Sequence, residues 1–131
     1  MIALDTSVLI DALTGPRRSA PGLRRAIAQG HRLLLPSLAL FEWLRGPRLP
    51  EELAAQEALL PSAAALPFGP PEAARAAQLY LRVSRRRGRE IDLAIAACAL
   101  TVGARLWTLS PRDFRDIEEL ELHLDVPTPG R

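Results

Sequence analysis

A chain of 131 residues that is 48% hydrophobic can bury one sizeable core, and a single domain over 1–131 is expected. The net charge is only +2, yet the pI is 9.4 and arginines cluster at 17–18, 24–25 and 85–87, a pattern that suits a polyanionic partner as well as a solvated face. The lone Cys98 excludes an intrachain disulfide, and His31 and His123 offer no zinc-type spacing, so any metal would be a hard one held by carboxylates.

The opening MIALDTSVLIDAL sets an apolar run, 2–4, ahead of Asp5 and reads as a strand that stops at a helix start. Helices are expected over 8–13 and over 21–29, the second stopped by Gly30. RLLL, 32–35, reads as the next strand, ending at Pro36-Ser37, and a helix over 38–45 follows it to Gly46. A helix over 51–60 and a short strand ALPF, 65–68, come next. Two more helices are expected over 71–87 and 91–102, with Gly88 and Gly103 as their stops. ARLWT, 104–108, is a third main strand and ELHL, 121–124, a shorter one. Gly just past a helical run and Pro near a helix start are the chemistry such boundaries need.

Strands alternating with helices predict an α/β fold with a mostly parallel sheet covered on both faces. Ligands of such sheets bind beyond the carboxyl ends of the strands, where strand order reverses. The uncharged apolar stretch 93–104 is too short to cross a bilayer, and no basic segment precedes an apolar one at the N-terminus. A cytoplasmic protein with Cys98 as a buried thiol is expected.

Four acids draw attention. Asp5 closes the first strand, where an ordinary helix N-cap would also sit. Glu42 lies in the apolar SLALFEWLRG, with Arg45 three residues on as its ordinary partner. Asp92 opens the most apolar helix, REIDLAIAACAL, where a first-turn acid suits the helix dipole. Asp113 follows the third main strand beside Pro111, a common place for a turn aspartate. Taken together, three of them stand just beyond strand-like runs and Asp92 is on the helix feeding the third. Four carboxylates in one crevice repel one another, and Mg²⁺ or Mn²⁺, bridging them to a substrate phosphate, would relieve that conflict.

MIALDTSVLIDAL, SLALFEWLRG and REIDLAIAACALTVGARLWTLSPRDF, in this order, resemble the PIN-domain nucleases, and most closely in length the VapC-type toxins of toxin–antitoxin pairs. The resemblance implies a PIN-like three-layer α/β/α sandwich and an endoribonuclease dependent on one or two Mg²⁺ or Mn²⁺ ions. It matches Asp5, Glu42, Asp92 and Asp113 to the family's catalytic, metal-binding acids. Thr6 and Ser7 match hydroxyl positions that support the first acid or contact phosphate, and Thr108 matches the Thr of the closing motif. Ser110 stands where that motif usually carries Asn or Asp. The chain has no Asn and no Lys, residues whose codons both begin AA, so a G+C-rich genome accounts for such a replacement.

Arg45, Arg85, Arg86, Arg87, Arg89, Arg112 and Arg115 are the candidates for gripping RNA phosphates. Aromatic residues make up only 5% of the chain, too few for a base-stacking platform. Trp43, Trp107, Phe41 and Phe114 are therefore expected in the core. The resemblance further implies a homodimer and a cognate antitoxin. The alternatives are an RNA- or protein-binding regulator that does not cut, and a DNA-processing nuclease, for whose extra loops the chain has little room.

Overall fold

The computed structural model describes residues 1–125. Its elements run β1 (Ile2–Leu4), α1 (Thr6–Leu13), α2 (Ala20–Ala28), β2 (Leu33–Leu34), α3 (Ser37–Arg45), α4 (Pro50–Leu59), α5 (Pro70–Arg82), α6 (Glu90–Val102) and β3 (Arg105–Trp107). The sheet has the order β2-β1-β3, and both pairings are parallel, with Ala3 opposite Leu34 on one side and Leu106 on the other. Single parallel bridges widen it at each edge, Pro36 to Leu66 and Leu106 to Leu122. ALPF and ELHL thus join the sheet as expected, each by one bridge only. The helices group as α1 with α2 and α4, and α6 with α5, while α3 touches both α1 and α6. This is the expected α/β sandwich around a parallel sheet.

Local chemistry explains the helix starts. α4 and α5 each open on Pro, and the acid three residues past each cap bonds back, Glu52 to the Leu49 N–H at 2.8 Å and Glu72 to the Gly69 N–H at 2.8 Å, satisfying donors the helix leaves orphaned. One helix end differs from expectation. α5 stops at Arg82, five residues short of Arg87, because Val83 turns extended (ψ 148°) and enters the core at 4% exposure. Continuing the helix would have stacked Arg82 on Arg85 and Arg86, like charges at spacings that repel.

The centre of the core is β1, whose three residues are wholly buried, and α6, buried without interruption from Leu93 to Ala99. A helix apolar all round belongs inside a protein. Trp43, Trp107 and Phe114 are buried as expected, but Phe41 is 49% exposed. On α3 the buried face carries Ala39 and Trp43; Phe41, two residues from each, falls on the opposite side of the helix. Burial pushes the Cys98 thiol up to about 11, so it stays protonated and inert. No helix among the described residues is long and apolar enough to cross a membrane.

Beyond β3 the described residues form neither α-helix nor strand, yet they contribute to the core. Three successive turns, Phe114 N–H to Pro111, Ile117 N–H to Phe114 and Leu120 N–H to Ile117, bring Phe114, Ile117 and Leu120 inward, all under 9% exposed. Ile117→Ala should lower unfolding free energy by about 2–4 kcal/mol. Leu124→Ala, at a residue 74% exposed, should change it by under about 0.5 kcal/mol. Urea unfolding followed by tryptophan fluorescence compares the two.

Candidate active site

In the strand order β2-β1-β3 the chain leaves β1 toward one edge and later returns to the other, so the crevice of a parallel sheet falls at the carboxyl end of β1. Asp5 stands there. Its backbone starts α1, with its carbonyl accepting the Val8 N–H at 3.1 Å, and its own N–H ties it to the Trp107 carbonyl at 2.9 Å. The side chain makes no helix-capping bond, which removes the ordinary N-cap explanation. Instead Oδ2 accepts two hydroxyls, Ser7 Oγ at 2.9 Å and Thr108 Oγ1 at 2.7 Å.

Each hydroxyl is itself held. Ser7 Oγ accepts the Leu109 N–H at 3.0 Å, and Thr108 Oγ1 accepts the Ser110 N–H at 3.0 Å. A hydroxyl that accepts from a backbone amide has its own proton left to give, so both point protons at the same carboxylate oxygen. Asp5 is only 6% exposed, and its Oδ1 accepts no hydrogen bond among the described residues. A buried carboxylate braced on one oxygen and free on the other keeps an acceptor open to a hydrogen-bond donor or a cation.

Glu42, on α3, receives Thr6 Oγ1 at 2.7 Å on Oε1 and Arg45 at 3.3 Å on Oε2. The local Arg45 partner therefore exists, but the shorter bond comes from α1. This corrects one expectation: Thr6 serves the second acid, and only Ser7 of that pair serves the first. Asp92, in the first turn of α6, is pushed up to about 6 by burial and then by the charges of Asp5, Asp113 and Glu42, with Arg89 opposing. Asp92 therefore lies within charge range of the other three acids. Asp113 lies in the 3₁₀ turn Pro111–Asp113 and is exposed.

Among the described residues, no three His, Cys, Asp or Glu groups stand close enough to wrap an ion. A hard divalent cation still fits the donor set, because Mg²⁺ takes one or two carboxylates and completes its shell with water and substrate oxygens.

The arginines divide. Arg45 is paired with Glu42 and lies 5.2 Å from the Phe41 ring centre, and Arg86 lies 5.5 Å from that of Tyr80. Arg89, expected to face RNA, is instead 13% exposed in its side chain and bonded at 2.7 Å through each terminal nitrogen to Asp116. Arg85 and Arg87 are exposed in the loop after α5. Arg112 and Arg115 are exposed too, and with Leu109, Ser110 and Pro111 they line a concavity of about 380 Å³ next to Thr108. The acidic run DIEELE at 116–121, opposite in charge to the basic run 85–89, is the sequence signal for the Arg89–Asp116 pair.

The fold and crevice define a parallel α/β protein with a buried carboxylate, Asp5, at the switch point of its sheet. The sequence model of the PIN domain matches residues 2–120, and the chain belongs to the PIN domain family. In fold it is similar to a chain in the crystal structure of VapBC2 from Rickettsia felis bound to a DNA fragment from their promoter. That match has a TM-score of 0.75 and 21% identity, and covers 94% of this chain and 98% of the other. It is also similar to a chain in the structure of FitAcB from Neisseria gonorrhoeae, with a TM-score of 0.68, 19% identity and coverage of 94% and 97%. No curated protein matches the sequence.

The raised Asp92 carboxyl fixes the sign of a pH effect. An acid whose folded pKa lies above its unfolded 3.8 destabilises the fold when ionised; the penalty is absent below that value and complete above about 6. Without divalent ions at pH 7.5, Asp92→Asn should stabilise the chain by about 1–2 kcal/mol after allowing for partial exposure. The gain should vanish by pH 4, as read by thermal denaturation across pH.

Proposed function

We propose that the chain is a Mg²⁺- or Mn²⁺-dependent endoribonuclease and the toxin of a type II, VapBC-type toxin–antitoxin pair. The observation that carries the reading is Asp5, braced by Ser7 and Thr108 on one oxygen, free on the other, and within the electrostatic reach of Asp92. Membership of the PIN domain family and likeness in fold to the VapBC2 and FitAcB chains support the class.

In this reading Asp5, Glu42, Asp92 and Asp113 hold one or two ions. A bound divalent ion would supply water activation and stabilisation of the leaving oxygen. Asp5 would hold its ligand oxygen still, since Ser7 and Thr108 fix the carboxylate plane. Thr6 and Arg45 would do the same for Glu42. Arg112 and Arg115, with Arg85 and Arg87, would counter the phosphate charge of the strand, so that an acidic crevice accepts a polyanion. Hydrolysis would break the bond between phosphorus and the 3′-oxygen, leaving 5′-phosphate and 3′-hydroxyl ends.

The proposed partners are RNA, a cognate antitoxin and a second copy of this chain. Phe68 and Leu81, exposed beside a concavity of about 360 Å³ between α5 and α6, supply apolar surface for such a copy. The proposed location is the cytoplasm.

Induction of the gene alone should arrest growth and create new RNA ends, and co-expression of the neighbouring gene should relieve the arrest. No arrest and no new ends would favour a binding protein that does not cut. With purified protein, Asp5→Asn and Asp92→Asn should remove metal-dependent cleavage of RNA; undiminished cutting by either overturns the assignment. Thr108→Val should keep the fold and lower cleavage about 10–100-fold, the usual cost of losing a group that orients a metal ligand.

A further inference from the structure

Arg89 immediately precedes α6, three residues before Asp92, and its guanidinium is spent inside the chain. Both terminal nitrogens reach Asp116 at 2.7 Å; one also donates to the Asp113 carbonyl at 2.7 Å and the other to the Arg85 carbonyl at 2.9 Å. Four charge-assisted bonds from one planar group, two of them a fork on a carboxylate, fix direction as well as distance. Three segments meet at that one side chain: the loop after α5, the start of α6, and the stretch carrying Asp113.

The last of these needs such a hold. Asp113 is exposed, its carboxylate accepts no hydrogen bond among the described residues, and its segment belongs to no α-helix or strand. The position of its side chain therefore follows from its backbone, and Arg89 holds the Asp113 carbonyl. Gly88 makes the approach feasible: the Arg89 N–H bonds to the Arg86 carbonyl at 3.2 Å, and Gly88, third in that turn, has φ 79°, a region open to glycine and strained for other residues.

A second fork lies farther along the same segment, where Arg82 of α5 grips Glu119 through both terminal nitrogens. It anchors the stretch to α5 and touches none of the four acids. The two forks thus separate a local positioning role from plain stability.

We propose that the Arg89–Asp116 clamp positions Asp113 against Asp92, which makes Arg89 a positioning residue of the acid cluster and not an RNA contact. This rests on the reading of the cluster as a divalent-cation site. Mn²⁺ binding, followed by the electron paramagnetic resonance of the free ion, and RNA cleavage are measured on the full chain. The variants are Arg89→Lys, Asp116→Asn, Asp113→Asn, the Arg89→Lys/Asp113→Asn double, and Glu119→Gln.

Arg89→Lys keeps the charge and loses the fork. It should weaken Mn²⁺ binding by the same factor as Asp113→Asn, on the order of tenfold, and the double variant should be no weaker than either single one. Asp116→Asn should reproduce Arg89→Lys, and it carries the comparison if Arg89→Lys does not fold. Glu119→Gln should lower the melting temperature and leave Mn²⁺ affinity unchanged.

The clamp is overturned if clamp variants bind Mn²⁺ like the parent, if their loss multiplies with that of Asp113→Asn, if Glu119→Gln weakens binding equally, or if the parent binds no Mn²⁺. Coupled loss of Mn²⁺ affinity in a chain that leaves RNA uncut retains the clamp and overturns the nuclease reading. Cleavage that ignores the clamp variants does the reverse.

Discussion

Collecting negative charge at the end of a parallel sheet is the constraint around which this molecule is arranged. A carboxylate taken from water must be compensated, and Asp5 is almost wholly buried. The compensation comes from hydroxyls, which carry no charge of their own. Ser7 and Thr108 brace one oxygen of Asp5, and each is oriented by a backbone N–H from the chain that follows β3. An arginine in their place would neutralise the carboxylate and hold it away from a cation. Hydroxyls leave the negative charge intact, and with Asp92 raised by burial and then by Asp5, Asp113 and Glu42 the ionised acids have little positive charge beside them.

That arrangement depends on which strands are neighbours. Asp5 and Thr108 are 103 residues apart in sequence and meet because β1 pairs with β3 in register, Leu4 opposite Trp107. A shift by one residue would turn Thr108 to the other face of the sheet. The burial of Ile2, Leu4 and Leu106, each at 0% exposure, sets that register, so the apolar core and the polar crevice are specified together.

Much of this was legible in the sequence because it follows from local signals. Strands ending at Asp5, Pro36-Ser37 and Thr108, and the glycines after α2, α3 and α6, mark the element order, and the carboxyl end of the first strand marks the crevice. What escaped depended on partners distant in sequence. Thr6 sits beside Asp5 in the chain yet bonds to Glu42, because α1 packs on α3. Arg89 belongs to a basic run that looks solvated, and only the return of 113–116 to the start of α6 occupies it. The run 85–87 extended the expected helix because Arg is a good helix former; Val83 entering the core and Arg82 reaching Glu119 outweighed that preference. The chemistry of Phe41 alone predicts a core position, whereas the helix phase set by Ala39 and Trp43 directs it to solvent.

The same network clarifies Ser110, where the resemblance implies Asn or Asp. Ser110 contributes through its backbone: its N–H orients Thr108 and its carbonyl accepts the Asp113 N–H at 3.0 Å. Any residue except proline can supply both bonds, so the change to Ser leaves the brace on Asp5 and the turn carrying Asp113 intact. What it removes is a side-chain oxygen of greater ligand strength beside the concavity lined by Arg112 and Arg115. In the proposed nuclease reading, the loss falls on the side of the crevice nearest those arginines, where a substrate phosphate would itself provide oxygens to a cation. On that reading an incoming strand would take over the ligand role of the side chain replaced, whereas the hydroxyl brace of Ser7 and Thr108 on Asp5 belongs to this chain and is kept.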